Sequence, residues 1–311
     1  MKTGGRIMKK VDLIVSASHF YTMEGEGVGY KGNTSMAIDR GRIVAIGNTK
    51  DIKQEYSPNE EIDLGNQVVL PGFIDAHMHT GSCILRGLAQ DTNYWMMYGY
   101  GPFINVTTAE ESEVGSQLAI IEGIKAGTTT FGDFENDMDL VCQFIDKVGV
   151  RGHIASTIRE AKNKTYNPGE LYEFDKNMGE RLLKENLDLY EKWDGKANGR
   201  IKILFGPQGA DFLSKELLLK VRQLALERNT KIHMHVQQGD RETAQIMMRY
   251  NKRPIAWLDE IGYLDDNLIA VHLTDADEEE AALVAERGAS MILCSGSIGI
   301  IDGIVPPAKA F

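Results

Sequence analysis

From residue 68 onward, short apolar runs alternate with longer amphipathic stretches, and few folds accommodate that alternation. Strand candidates begin at Val68, Gly127, Val150, Ile201, Lys231, Asn267 and Ala289, each rich in Val, Ile, Phe or Thr. Between them, Glu110–Lys125, Leu140–Val148, Asp175–Glu191, Ser214–Glu227, Glu242–Tyr250 and Asp277–Glu286 carry helical spacing. Thr108 and Ser214 stand where N-caps are expected, with Glu111 three residues after Thr108. Repeated strand–helix units imply parallel strands joined by right-handed crossovers. An open doubly wound sheet needs a glycine-rich phosphate turn, and the chain has neither GxGxxG nor a P-loop. The expectation is therefore an α/β fold, a TIM (β/α)8-type barrel, with seven of its eight strands counted. A parallel sheet with two raw edges is a poor stopping place. Either one strand escapes the count, or the chain is a C-terminally truncated piece of a longer protein.

Residues 1–65 read differently. Val11–Ser16 is a strand candidate, and Thr34–Ile38 with Arg42–Ile46 form a hairpin around Asp39–Gly41. Asp51–Glu61 is polar and predicts a loop with a helical turn. The domain expectation is thus a small β-rich part, 1–65, and a barrel, 66–311.

Histidine placement supplies the chemistry. His77 and His79 lie two apart in PGFIDAHMH, so on a strand both rings share a face, with Asp75 on the same side as a partner for one of them. Alone, His-x-His fits a pair of surface or core histidines equally well. His233 and His235 repeat the spacing at the end of the fifth strand, and His272 ends the sixth. The C-terminal strand ends carry His77, His79, Asp133, Gln208, His235, His272 and Ser295, the rim where such barrels keep their active sites. Imidazoles converging there fit one divalent metal ion. Trp95, Met96, Met97, Tyr98 and Tyr100 follow the first strand and fit either a wall for an aromatic ring or ordinary loop packing.

Composition sets outer bounds. With 311 residues, 42% hydrophobic and 25% charged, the chain has the balance of a globular protein with a large core. The net charge of -11 argues against nucleic acid or an anionic membrane as the main partner. Cys83, Cys142 and Cys294 are far apart, which suits a reducing compartment. No signal-peptide core or membrane span is evident, so a cytoplasmic protein with a small-molecule substrate is expected. Self-association is left open.

PGFIDAHMH, LRGLA at Leu85–Ala89, GTTTFGD at Gly127–Asp133, HMHVQQ at His233–Gln238 and VHLTDADEEEAALVAERGAS at Val271–Ser290 resemble the amidohydrolase superfamily. The branch indicated is the cytosine deaminase-like one, with guanine deaminase, methylthioadenosine deaminase and s-triazine hydrolase relatives. The resemblance implies that His77, His79, His235 and His272 hold Zn (or Fe), with His272 also a catalytic partner of the attacking water. It implies that His233 packs below the site and that the first 65 residues belong to a small β-sandwich. It further implies an eighth-strand aspartate beyond Cys294, a role for which Asp302 is poorly placed.

Three departures bear on mechanism. The branch's His-x-x-Glu, whose glutamate shuttles protons, reads Gln238 here, and an amide positions water or substrate but is no acid or base. A histidine slot after the fourth strand reads Gln208, and Pro-x-Ser-Asn keeps only Ser297. Asp240 or Glu242 could supply an acid nearby, but the favoured reading for both is a solvated helix start. Gln208, Trp95 and Ser297 are the substrate-binding candidates. The expected function is metal-dependent hydrolysis of a C–N bond, or a C–halide bond, in a small heterocycle. The rival is a non-catalytic ligand-binding relative.

Overall fold

The computed structural model describes residues 8–88, 99–104, 106–167, 169–299 and 303–311. The chain divides into two compact units, Met1–Gly72 and Phe73–Phe311. The break falls after Gly72 because Val68–Val69 forms a strand of the first unit, paired in parallel with His19–Phe20. The apolar run and the His-x-His segment, read from the sequence as one strand, are two.

In the first unit β1 (Lys9–Tyr21) is central. It runs antiparallel to β2 (Tyr30–Asp39), which turns back into β3 (Arg42–Asn48). On its other side β1 runs parallel to β4 (Tyr56–Asp63) and β5 (Val68–Val69). Ile14 and Ala37 are fully buried, and Ile52 of the helix Thr49–Glu55 packs over them. Asn48 caps that helix by accepting the Lys50 N–H at 3.0 Å. Residues 51–55 supply the predicted helical turn as the end of a helix, and residues 56–61 form a strand where a loop is expected. β4 is an exposed strand whose Pro58, Glu60 and Glu61 suppress the apolar alternation that marks buried strands.

The second unit contains β6 (Phe73–Met78), β7 (Thr128–Glu135), β8 (Arg151–Ile158), β9 (Ile201–Pro207), β10 (Ile232–Val236), β11 (Leu268–His272) and β12 (Ser290–Ile292). They lie in sequence order, each parallel to the next. Strands four places apart in this row touch: His77 of β6 meets His235 of β10 at 3.2 Å. A flat sheet with strands ~4.8 Å apart holds them about 19 Å apart, so the sheet is rolled into a barrel wall. Seven strands form it among the described residues, as the sequence pattern predicts.

Each strand presents one set of side chains to the lumen and one to the helices. Phe134, Ala155, Leu204 and Ile269 meet in the lumen. Ile232, Met234 and Val236 face outward with Leu217, Val221, Ile246, Ile255 and Leu258 from the helices. The helix Ala109–Lys125 has the predicted Thr108–Glu111 capping box. Pro254–Glu260 is a further helix that the apolar spacing did not reveal. At Gly132, a Cβ would stand 2.2 Å from the Ala76 carbonyl oxygen, so only glycine lets β7 pass this close to the strand bearing His77. Among the described residues no helix is long and apolar enough to cross a membrane.

Candidate metal centre

His77 and His79 leave the end of β6, and His233 and His235 lie on β10 with inward parity, opposite to Met234 and Val236. His235 Nδ1 is 2.6 Å from the Gln208 carbonyl oxygen. A carbonyl only accepts, so Nδ1 carries the proton and Nε2 of the neutral ring is bare. His79 is held the same way, its Nδ1–H donating to the Phe134 carbonyl. The two bare Nε2 atoms nevertheless face each other at 3.3 Å, with His77 Nε2 3.2 Å from that of His235. Lone pairs aimed at one another call for a cation between them. Tetrahedral Zn–N bonds of about 2.0–2.1 Å give N···N separations of about 3.3–3.4 Å, so the spacing fits an ion.

The rings are poised to be neutral. Burial and then the imidazoles of His235, His79, His233 and His272 push His77 far below the usual imidazole range. Burial pushes His235 well below it too. His272 is lowered to about 4, by burial and then His79. Neutral imidazoles are the metal-binding form.

His272 reaches the cluster by an irregular backbone. In register it lies beside Val236, and Leu268 and Ala270 of its strand face the helices. Regular alternation would turn its ring outward. Instead φ is 83° at His272 and 56° at Leu273, and the ring stacks on His235 at 5.4 Å between centroids. The ring centroid lies 5.5 Å from that of His77.

His233 does not simply pack below the site. Its Nε2 lies 2.9 Å from His77 Nδ1, and its ring stacks on Phe134. Asp75 is exposed, and its carboxylate meets the His77 backbone N–H rather than a ligand ring. The bulges in β6 break the shared face that simple alternation predicts.

A second group holds the segment after His79. Asp133, fully buried, accepts the backbone N–H of Thr80 at 3.1 Å and of Phe134 at 3.0 Å, and the Thr80 hydroxyl. Burial and then Glu135 push its carboxyl up to about 6. Glu135 accepts the Ser82 hydroxyl at 2.7 Å, which also meets Tyr100 at 2.9 Å. Neither carboxylate was singled out in the sequence as a positioning group; their place at the end of a β-branched strand was the available signal.

Gln208 sits beside the cluster through its carbonyl, and its side-chain Oε1 is buried without a hydrogen-bond partner. Gln238 is half-buried, its backbone N–H 3.3 Å from Glu242 and its carbonyl accepting the Thr274 hydroxyl at 2.5 Å. Glu242 is not solvated as expected: it is 7% exposed, and burial followed by Asp211 raises its carboxyl well above the usual range. The tight turn at Gln237, φ 50°, folds the helix start inward, while Asp240 stays exposed. Ser297 is half-buried in the short turn Ser295–Ser297 after β12. Trp95 and its neighbours through Tyr98 lie outside the described residues, as does Asp302.

Comparison with known proteins gives consistent results. Residues 68–309 match the sequence pattern of the amidohydrolase family. The chain is 31% identical over 308 residues to a 5'-deoxyadenosine deaminase of Methanobrevibacter smithii, covering 98% of this chain and 65% of that protein. It is 32% identical over 255 residues to a 5-methylthioadenosine/S-adenosylhomocysteine deaminase of Desulfitobacterium hafniense, covering 81% and 56%. The crystal structure of a zinc-bound adenosine deaminase from Xanthomonas campestris superposes with a TM-score of 0.86 at 25% identity, over 98% of this chain and 67% of that one. The chain thus spans 65% and 56% of the length of these two curated relatives.

Proposed function

The chain belongs to the amidohydrolase family, and on that premise we propose that it holds one divalent metal ion and hydrolyses a C–N bond of a small heterocyclic substrate. The observation that carries this is the pair of bare Nε2 atoms of His79 and His235, 3.3 Å apart, each with its Nδ1–H spent on a backbone carbonyl. His77, His79 and His235 would hold the ion, with His272 beside them. A metal bound there supplies Lewis acidity and a deprotonated water at neutral pH.

The chain's own groups do the rest. The carbonyls of Gln208 and Phe134 fix the tautomers of His235 and His79. His272, neutral and stacked on His235, is placed to take a proton from the attacking water or to hold the developing oxyanion. Gln208 Oε1, buried and unpartnered, is an acceptor for a substrate N–H. Gln238 orients substrate but gives no proton, so a leaving group that needs little protonation is favoured over free amine. C–halide cleavage belongs to the same class of attack. The named relatives are deaminases of adenosine-type nucleosides, which makes purine nucleosides the first substrates to try. Ser297 and Trp95 complete the proposed substrate contacts, and the cytoplasm is the proposed compartment.

The test is metal content measured together with ammonia and halide release from purine nucleosides, pyrimidines, pterins and triazines. About one metal per chain with turnover of one class is expected. Metal bound with no turnover would favour a binding protein, the reading to which Gln238 lends weight. A chain without metal affinity would end the proposal.

A further inference from the structure

We propose that His77, His272 and Cys294 form a second position for a soft divalent cation, of the Zn2+ or Co2+ kind, alternative to the His77–His79–His235 position. A donor atom of each lies within 4.8 Å of the other two. His272 is 5% exposed, and its Nδ1 is buried without a hydrogen-bond partner. Its ring reaches the lumen only through the left-handed backbone at His272 and Leu273. Conformations of that kind in residues other than glycine are held by their surroundings and cluster at functional sites.

Charge gives the reason for a thiolate here. Neither donor set contains a carboxylate among the described residues. Three neutral imidazoles bring no negative charge to a dication, whereas Cys294 as the thiolate supplies one. On binding, the thiol proton leaves to solvent and a sulfur–metal bond replaces it. Thiolate also selects Zn2+, Cd2+ or Co2+ over Mg2+ and Mn2+. His77 belongs to both sets, and its single cluster-facing nitrogen serves one ion at a time, so the two positions exclude each other. The inference rests on the metal-binding reading above.

The experiment is titration of the metal-free chain with Co2+. One equivalent is expected to bind with a thiolate-to-cobalt charge-transfer absorption in the near ultraviolet. Cys294→Ser should lose that band and Cys83→Ser should keep it. Cobalt bound without the band, or a band surviving in Cys294→Ser, overturns the second position and leaves the hydrolase reading standing. No cobalt bound overturns both. Should Cys294→Ser fold poorly, peptide mapping of iodoacetamide labelling in the unaltered chain decides. Zn2+ is expected to slow alkylation of Cys294 at least tenfold, and equal labelling with and without metal overturns the proposal.

Discussion

His77 Nδ1 and His233 Nε2 lie 2.9 Å apart, and this contact decides which face of the His77 ring is available to a metal. With His233 accepting, His77 carries its proton on Nδ1 and its Nε2 is bare toward His235. Burial holds His233 itself at about 3, so it is neutral and able to accept. Removing the acceptor as His233→Ala frees His77 to move its proton to Nε2. Zinc affinity, measured by chelator competition, should fall about 10–100-fold. His233→Gln, whose side-chain carbonyl can accept the same proton, should recover part of the loss.

The same neutrality sets an acid limit on the metal-free chain. His272 has a folded value of about 4 against 6.5 in a flexible chain. A lowered histidine adds stability that is fully present above pH 6.5 and lost as pH falls toward 4, because the unfolded chain takes up the proton first. Between those limits, His272→Gln should reduce the steepness of stability against pH by about one proton per molecule in urea unfolding. Asp133 and Asp211, both pushed up to about 6 by burial, act in the opposite sense, each favouring the folded state as pH falls from 6 toward 4. Asp211→Asn should therefore make the acid loss steeper.

Gln238 offers a direct test of leaving-group chemistry. Gln238→Glu introduces a proton carrier at the slot where the sequence resemblance implies one. Turnover of amino-substituted heterocycles should rise by about tenfold or more, while halide-leaving substrates should change little. Loss of both activities would mean that the amide holds the substrate.

Gly132 ties fold stability to the histidine cluster. A Cβ there meets the Ala76 carbonyl oxygen at 2.2 Å, which no side-chain rotation relieves. Gly132→Ala should cost about 1–3 kcal/mol and lower the melting temperature. Because β6 must move away from β7, metal affinity should fall with it.

Much of this was legible in the residues because the barrel writes itself as period-two runs ending in polar side chains. The strands at 127, 150, 201, 231, 267 and 289 appear within a few residues of those expected, and His77, His79 and His235 meet at the strand ends where the sequence places them. What escaped detection has local causes. β4 is charged and has an exposed edge, so no apolar period marks it. The inward turn of His272 depends on two positive φ angles that no neighbouring glycine announces. Glu242 is a polar residue folded under a turn at Gln237, another positive φ without glycine. Cys294 gave no spacing signal, since its partners are 217 and 22 residues away, His77 and His272.

His77 lies on β6, at one end of the row, with His79 just beyond it, and His235 lies on β10, far round the wall. An ion gripped by all three is therefore also a rivet across the barrel's open end. A chelator used to silence the chemistry would at the same time unfasten the rim.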